Sequence, residues 1–414
     1  MAHHQAGYPN PAFQPGGVRP RPAAGRSQAH GGVSPLHPVS HRNTSFTPLP
    51  RPLGLAPYRY DVSQTFPEIA KAIGDSGRMT FHVVGDSGGV QDGEFQNNVA
   101  EQMIDHLDNA TGDKPLFCYH VGDVVYFTGA HDEYYAQFYE PYAHYDTPIF
   151  AIPGNHDGEV DDPSQGPSLG GFVAYFMQAE PDVDPISKDS PRVGLNLPNV
   201  YWTLITPLAT IVGMYTNVPE GGSIDSVQQQ WLTNEFATAP ADLPLILALH
   251  HPIYSFDTYH SGSSKMADAL ESAIRDTGRV PNLVLSGHVH NYQRIEQTIS
   301  GDAPTPFLVT GNGGYHNLHK IAAQHDTESP KHAGHKHAHK HNGEDASFHP
   351  AKDTGAQLIY GNDKAWGFLT LTIDKDKISG VSLEVDRSGA VKDGDKFEYS
   401  AKPVNIAPGS VPTL

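Results

Sequence analysis

Residues 116–126 read LFCYHVGDVVY, an apolar run that ends in glycine and aspartate and is followed three positions later by a tyrosine. The apolar run predicts a buried strand. A strand that stops at Gly122 and Asp123 directs the carboxylate out of the carboxyl edge of its sheet, where open α/β folds carry their ligand sites. Tyr126 then lies on the loop beside it. By themselves Asp123 and Tyr126 favour a structural interpretation, a hydrogen-bonded tyrosine after a turn, over a functional site. The residues at the other strand ends decide between these two interpretations.

Four other apolar runs end in polar residues in the same way. Between them, residues 132–142 and 226–236 predict helical segments, and residues 158–198, rich in Pro, Gly and Asp, predict a long loop. This alternation is typical of parallel strands in an α/β fold, whose carboxyl ends meet at one edge. The five strand ends present seven oxygen or imidazole donors: Asp86, Asp123, Tyr126, Asn155, His250, His288 and His290.

These donor types, in this number, indicate a centre with two metal ions. One metal ion cannot use seven protein ligands and keep a place for substrate, whereas two ions that share a bridging carboxylate can. His288 and His290 alternate in an extended segment and point opposite ways, so each can serve one ion. Tyr126 has a free pKa of about 10, so its oxygen favours a hard, highly charged cation such as Fe(III). Asn155 offers a neutral amide oxygen, which suits a divalent ion.

The strand-end motifs resemble those of the calcineurin-like metallophosphoesterases and, within them, the purple acid phosphatases, above all the small animal-type members. The resemblance covers about residues 79–315. Gly88 stands where the wider superfamily has a histidine, and Tyr126 takes the place of that ligand. The chain departs from the pattern in its N-terminal tail, its lack of a signal and of disulfides, and a His-rich insertion, which leave its compartment and regulation open. The matching blocks are Gly85-Asp86-Ser87-Gly88, Gly122-Asp123-Val124-Val125-Tyr126, Gly154-Asn155-His156, the strand-end His250, and Gly287-His288-Val289-His290.

The resemblance implies a four-layer αββα sandwich of two mixed β-sheets flanked by helices. It also implies a dinuclear centre of Fe(III) and a divalent Fe, Zn or Mn ion, with two histidines facing the phosphate. Carried over by position, the roles are Asp86, Tyr126 and His290 for Fe(III), Asn155, His250 and His288 for the divalent ion, Asp123 as the bridge, and His156 and His260 as the phosphate-facing histidines. His251, which is nearer to His250 in the chain, is the alternative to His260.

The implied activity is that of an acid phosphatase, which hydrolyses phosphomonoesters by direct attack of a metal-bound hydroxide. Fe(III) lowers the pKa of bound water, so an acidic optimum is expected. His156 and His260 would stabilise the developing charge, and one of them would protonate the leaving group. The expected substrates are small phosphate esters, with aryl phosphates, nucleotides and phosphoproteins as candidates. The alternatives are a phosphodiesterase with the same metals, and a catalytically idle metal-binding protein.

The 414 residues can hold one large α/β domain or two ordinary ones, and a single catalytic domain, residues 58–405, is expected. Residues 1–57 hold 11 of the 35 prolines, which predicts a disordered tail or one draped on the surface. Residues 316–349 hold nine of the 25 histidines and predict a mobile insertion, for which loose metal binding is the functional alternative. Closing antiparallel strands are expected between residues 368 and 399, and residues 406–414 are a C-terminal tail.

The composition argues against several functional and structural classes. A formal charge of −19 over 414 residues argues against nucleic-acid binding, and no apolar run reaches the roughly 18 residues that a membrane span needs. The single cysteine, Cys118, lies in an apolar run, so no disulfide framework is expected. The start, Met1 to Gln5, lacks a basic and apolar signal segment, which favours the cytoplasm, with a periplasmic or secreted location as the alternative. His82 and His120 lie within apolar runs and are expected to be core histidines.

Overall fold

The computed structural model describes residues 48–414 except 90–91, 161–167, 218–221, 300, 302, 323–354 and 413. Nearly all the apolar runs predicted to be strands are strands, each within a few residues of the expected bounds. The strands, in chain order, are β1 (Arg59–Asp61), β2 (Arg78–Val84), β3 (Cys118–His120), β4 (Ile149–Ala151), β5 (Trp202–Ile205), β6 (Thr210–Gly213), β7 (Leu245–Ala248), β8 (Arg279–Val280), β9 (Leu283–Ser286), β10 (Tyr292–Gln297), β11 (Thr305–Thr310), β12 (Gln357–Asn362), β13 (Trp366–Asp374), β14 (Lys377–Val385), β15 (Val391–Ser400) and β16 (Val404–Asn405).

Two mixed sheets contain most of these strands. One has the order β15-β14-β13-β2-β3-β4, in which β2, β3 and β4 are parallel and β13 to β15 are antiparallel, as expected for the closing strands. The other has the order β1-β5-β6-β7-β9-β11-β10-β12, with a parallel centre from β6 to β11. The short strands β8 and β16 pair separately.

Helices pack on the sheets and on one another, as the expected architecture requires. In the described residues α3 (Glu94–Asn109) packs on β13 and β14, while α6 (Ser226–Thr238) and α7 (Ser264–Thr277) pack on each other. Trp231 of α6 lies 4.8 Å, centroid to centroid, from Tyr201 beside β5. The expected α/β class, with two mixed sheets flanked by helices, is therefore confirmed. None of the described helices combines the length and apolarity needed to cross a membrane. The helices are α1 (Val62–Thr65), α2 (Pro67–Ser76), α3 (Glu94–Asn109), α4 (Asn155–Gly158), α5 (Gly170–Phe176), α6 (Ser226–Thr238) and α7 (Ser264–Thr277).

The two sheets pack face to face around Trp202. Its indole N–H donates to the carbonyl of Ala151 on the opposite sheet at 2.9 Å, and its ring lies 6.0 Å from that of Tyr119. Tyr119 in turn fits over Gly213, where a Cβ atom would lie 2.3 Å from the phenol oxygen. The close approach of the sheets therefore requires glycine at position 213, and it brings the carboxyl ends of β2 to β4 next to those of β7 and β9.

Two local predictions are met only in part. Residues 132–142 are helical as predicted, but they form a 3₁₀ turn, His131–Glu133, and a π-helical turn, Tyr135–Tyr139, and not a regular α-helix. The predicted long loop at 158–198 contains α5, because its aromatic side chains are buried in the core.

Both ends of the described chain contact the domain. The backbone N–H of Leu53 donates to the carbonyl of Pro198 at 2.9 Å, so the last part of the predicted disordered tail follows a defined path on the surface. Ile406 donates in the same way to Gly278 at 2.7 Å, within the predicted C-terminal tail. The rest of the N-terminal tail, residues 1–47, lies outside the described residues.

The His-rich insertion is described only at its beginning. Residues 316–322 have a defined path, and the backbone N–H of Ile321 donates to the Asp363 carboxylate at 3.2 Å. The first residues of the predicted insertion are therefore hydrogen-bonded to the domain. Residues 323–354, which carry most of the predicted insertion and its histidine tract, lie outside the described residues.

Replacing the side chain that joins the two sheets is expected to destabilise the domain. Trp202→Ala removes a fully buried indole and its inter-sheet hydrogen bond, so we expect a loss of about 3–5 kcal/mol in the free energy of unfolding. Urea unfolding followed by circular dichroism measures this loss. Val227→Ala, at an exposed position on α6, is the control and should change stability by less than about 0.5 kcal/mol. Similar losses in the two variants would contradict the packing described for Trp202.

Candidate metal centre

The two sheets bring the five strand ends together at one edge of the sandwich. The backbone N–H of Asp86 donates to the carbonyl of Gly122 at 3.0 Å, joining the ends of β2 and β3. Across the sandwich, His250 Nδ1 donates to the carbonyl of Val121 at 2.9 Å. The N–H of Gly287 donates to the carbonyl of His250 at 3.0 Å, joining the ends of β7 and β9. The strand ends are therefore one hydrogen-bonded unit.

A first group of donors consists of Asp86, Tyr126 and His290. The phenol oxygen of Tyr126 lies 3.1 Å from Asp86 Oδ1 and 3.2 Å from His290 Nε2. His290 Nε2 lies 3.5 Å from the same carboxylate oxygen. Its other nitrogen, Nδ1, donates to the carbonyl of Asn317 at 3.2 Å, which orients the ring. Three side chains from three strand ends thus point at a common position.

A second group lies beside the first and contains Asp123, Asn155, His250 and His288. The amide oxygen of Asn155 is 3.1 Å from His250 Nε2 and 3.0 Å from His288 Nδ1. Asp123 Oδ2 is 3.3 Å from His250 Nε2. Ligand atoms of Asp123, His250 and His288 all lie within 4.8 Å of one another, which is a spacing that a metal ion can bridge. All seven predicted donors are therefore gathered in two adjacent groups.

Glycines in the motifs leave room for this convergence. A Cβ atom at Gly154 would lie 2.1 Å from Asp123 Oδ1, and one at Gly88 would lie 2.5 Å from the ring of Tyr126. The ring of Tyr126 thus occupies the space that a side chain at position 88 would need. This is the physical reason why glycine at position 88 and tyrosine at position 126 occur together in this chain.

Three donor residues have left-handed backbones, namely Asp86 and Asp123 at φ 55° and His288 at φ 66°. Residues other than glycine adopt this conformation at a cost of about 1–3 kcal/mol and do so mainly where the surrounding structure compels it. Here the backbone N–H of His288 donates to Asp86 Oδ2 at 2.8 Å, so one strained residue stabilises another. The strain turns each side chain from its strand toward the common position.

The buried acids and bases perturb one another. Burial raises the pKa of Asp86 to about 7. Burial also acts to raise the pKa of Asp123, but the charges of His250 and His156 outweigh it and bring that pKa below its usual value. For His250, burial acts to lower the pKa, but Asp123 outweighs it and raises the pKa to about 9. Without a cation the cluster is thus balanced by its own protons, which a metal ion would displace.

The other donors have pKa shifts that fit metal binding. Burial, with the charges of neighbouring histidines, lowers the pKa of His288 and His290 well below the usual value, so both rings are neutral and able to ligate. Burial and the nearby charges of Asp123 and Asp86 raise the pKa of Tyr126 well above 10. Its phenol therefore loses its proton only to a strongly charged cation. The donor set fits two metal ions, one of them highly charged.

His156 lies at the entrance beside Tyr126, with ring centroids 4.5 Å apart. Its backbone N–H donates to Asp123 Oδ1 at 2.9 Å, and its Nδ1 donates to the carbonyl of Phe127 at 2.8 Å. Burial acts to lower the pKa of His156, but Asp123 and Glu159 outweigh it and raise the pKa to about 10. Glu159 is a contact that the sequence interpretation missed, although its spacing of three residues from His156 is a usable signal.

His260 and His251 occupy different places around His288. The ring of His260 lies 4.5 Å from that of His288 and is partly exposed. The ring of His251 lies 4.3 Å from His288 on another side, is buried, and its Nδ1 is 2.7 Å from Thr216 Oγ1. Of these two rivals, His260 is therefore the one that solvent reaches.

Asp157, which follows His156 in the chain, holds two turns together. Its carboxylate accepts the backbone N–H groups of Gly154 at 2.8 Å, Val124 at 3.1 Å and Val125 at 3.3 Å. It therefore clamps the turn after β3 to the turn after β4. This contact joins residues far apart in sequence, so no local signal predicts it.

The two histidines expected in the core are there. His82 is buried, with its ring nitrogens 2.9 Å from the Tyr145 hydroxyl and 2.8 Å from His106 Nδ1. His120 is also buried, and its Nε2 lies 2.8 Å from Ser87 Oγ. Cys118 is a buried free cysteine, as expected for a small core residue.

Comparison with known proteins supports the motif assignment. A model of the calcineurin-like phosphoesterase family matches residues 79–292. Tartrate-resistant acid phosphatase type 5 of Rattus norvegicus is 26% identical over 280 residues, covering 60% of this chain and 76% of that protein. Purple acid phosphatase 22 of Arabidopsis thaliana is 25% identical over 173 residues, covering 40% of this chain and 36% of that protein.

Solved structures share the fold. Purple acid phosphatase PPD1 from yellow lupin seeds superposes with a TM-score of 0.52 at 16% identity, covering 78% of this chain and 54%, about half, of the lupin protein. GAP50 of Plasmodium, described as the anchor in the inner membrane complex, superposes with a TM-score of 0.52 at 14% identity, covering 78% of this chain and 89% of that one. At these identities the likeness concerns the fold alone.

Metal uptake is expected to release protons and to weaken as the pH falls. The pKa of His250 is about 9 without metal, so the ring is protonated at neutral pH and must lose that proton to ligate. Titration of the metal-free protein with Zn²⁺ by calorimetry, in buffers of different ionisation enthalpy, should show at least about one proton released per ion at pH 7. His250→Ala should lower this release, leaving the protons of Asp86 and Tyr126, whereas His131→Gln, which pairs with Asp184 instead, should leave it unchanged. Heats that are independent of the buffer would contradict this description of the centre.

Proposed function

The chain belongs to the calcineurin-like phosphoesterase family, and from this premise we propose that it is an acid phosphatase that hydrolyses phosphomonoesters at a dinuclear metal centre. The expected enzyme class, a hydrolase of phosphate esters, agrees with the family and with the names of the relatives. The observation that carries the proposal is the convergence of seven buried donors into two adjacent groups, the second of which contains Asp123.

The two donor groups differ in charge and suit different ions. The group of Asp86, Tyr126 and His290 brings a carboxylate and a phenol, so we assign it to Fe(III). The group of Asn155, His250 and His288 brings neutral donors and is assigned to a divalent Fe, Zn or Mn ion, with Asp123 shared between the groups. When bound, the two ions would activate a water nucleophile and offset the negative charge of the phosphate.

Beside the metal ligands, the protein would contribute two histidine side chains that can donate hydrogen bonds or a proton to the substrate. His156 uses Nδ1 to donate to Phe127, so Nε2 is the nitrogen that can meet a phosphate oxygen. The pKa of about 10 keeps this ring protonated, which favours an anion beside it. His260 lies on the other side, next to His288. One of these two imidazoles would protonate the leaving alkoxide.

Two other functions use the same residues. A phosphodiesterase would need the same metals but would act on a substrate with one negative charge fewer. A protein that binds metal without turnover would use the same donor groups. A fold does not by itself establish catalysis, so activity decides this point.

The visible spectrum is expected to reveal Tyr126 as a ligand of Fe(III). Iron-loaded protein should absorb broadly in the visible range and appear purple or pink, since a phenolate bound to Fe(III) gives a charge-transfer band. It should also hydrolyse nitrophenyl phosphate at about pH 5. Tyr126→Phe should abolish the colour. Tyr315→Phe is the matched control, because its ring lies 4.4 Å from Tyr126 and outside the donor groups, and it should keep the colour.

Other results would redirect the assignment. A colourless, iron-free but active protein would mean that Tyr126 does not bind Fe(III) and that the centre is an ordinary dinuclear phosphoesterase. A coloured protein without turnover would support metal binding alone and would refute the proposed phosphatase activity.

Monoesters are expected to be better substrates than diesters. The two histidines and two metal sites can compensate the two charges of a monoester, whereas a diester carries one charge and a second bulky group. We expect kcat/KM for nitrophenyl phosphate to exceed that for bis(nitrophenyl) phosphate by at least about tenfold, measured with the same metal-loaded sample. The reverse order would identify a phosphodiesterase.

A further inference from the structure

Asp257 is a buried carboxylate that belongs to neither donor group. It lies on the loop between β7 and α7 and is 1% exposed. Its Oδ2 accepts the backbone N–H of His260 at 2.7 Å and that of Tyr259 at 3.0 Å. Its Oδ1 accepts from the Asn291 side chain at 3.2 Å, next to His290 in the chain. A buried carboxylate is costly unless it is hydrogen-bonded, and here each of its bonds goes to a residue beside the candidate centre.

The backbone of His260 is held from both sides. Besides the bond from its N–H to Asp257, its carbonyl accepts from Ser255 Oγ at 2.9 Å. The same Ser255 oxygen accepts the backbone N–H of Asp257 at 3.1 Å. This closed set of contacts determines where the His260 ring lies relative to His288.

The loop that carries His260 is joined to the segment that carries His319. The backbone N–H of Thr258 donates to the carbonyl of Lys320 at 2.9 Å, and Asp257 forms a bridge with Ile321. Asp257 Oδ2 also lies 3.3 Å from His319 Nδ1. One carboxylate thus contacts both segments at the point where they cross.

The two histidines nearest to Asp257 lie beside different donor groups. The ring of His319 is 4.5 Å from that of His290, and the ring of His260 is 4.5 Å from that of His288. The two rings are 5.2 Å from each other. We propose that Asp257 is a positioning residue for phosphate ester hydrolysis, which keeps the partly exposed His260 beside the buried His319, one next to each donor group.

This inference rests on the proposed function and deepens it. The two imidazoles together form a donor surface for the phosphate oxygens that no single strand end provides. Asp257 acts through them and does not itself meet the substrate. Removing its charge should therefore change how well phosphate is bound and turned over, while the metal ions stay in place.

The test compares Asp257→Asn with Asp363→Asn in the metal-loaded protein. Asp363 is the matched control, because its carboxylate also holds the His319 segment, through the N–H of Ile321, but contacts neither histidine. Asp257→Asn should lower kcat/KM for nitrophenyl phosphate about 10- to 100-fold, with unchanged metal content. The affinity for inorganic phosphate, measured as competitive inhibition or by calorimetry, should weaken about tenfold. Asp363→Asn should change both quantities less than about twofold.

A double-mutant comparison separates positioning from a general structural role. In a His260→Ala/His319→Gln background, Asp257→Asn should cause less than about twofold further loss, since the groups it positions are gone. Ser255→Ala is a second variant for the case that Asp257→Asn does not fold. It should give a smaller loss in the same direction, which also disappears in that background.

The outcomes distinguish this inference from the proposed function. Equal losses in both backgrounds, loss of metal, or an Asp257→Asn protein that matches Asp363→Asn would overturn the role of Asp257. A wild-type protein that binds phosphate without turnover would overturn the phosphatase proposal alone, because the phosphate affinities of the variants still report on Asp257.

Discussion

The Asp123 carboxylate, buried between the ends of β3 and β4, is the interaction on which the rest of the site depends. It lies 3.3 Å from His250 of the facing sheet and accepts the backbone N–H of His156 at 2.9 Å. Its charge raises the pKa of His250 to about 9 and that of His156 to about 10, against the opposing effect of burial. A single carboxylate therefore joins the two sheets, the strand-end histidine and the entrance histidine.

Burying this carboxylate requires unusual backbone conformations around it. Asp86 and Asp123 have positive φ angles, and Gly154 leaves the space that the Asp123 carboxylate occupies. Asp157 compensates by accepting three backbone N–H groups from the two adjoining turns. The sandwich supplies the rigid frame, since Trp202 ties the sheets together by its bond to Ala151. Strain at the strand ends is thus supported by packing and hydrogen bonds elsewhere.

The seven donors could be predicted because each lies within about five residues of the end of an apolar run, and parallel strands in a sandwich end at a common edge. The segments between these runs were harder to predict. Residues 132–142 are helical as predicted but form 3₁₀ and π turns, and residues 158–198 contain α5, whose aromatic side chains reach the core. For α5 the burial of the side chains, which the local sequence does not show, outweighed the local pattern.

The sequence by itself determined the class of fold, the order of the motifs and the identity of the donor atoms, because these depend on short spacings and on side-chain chemistry. Only the tertiary structure decided that His260 is partly exposed whereas His251 is buried, and that Asp257 contacts both the backbone of His260 and the ring of His319. These residues lie in loops, where the sequence has no regular pattern that would predict their contacts. They meet because the loop of Asp257 and His260 runs beside the segment of His319, and such a contact between distant residues exists only in the folded chain.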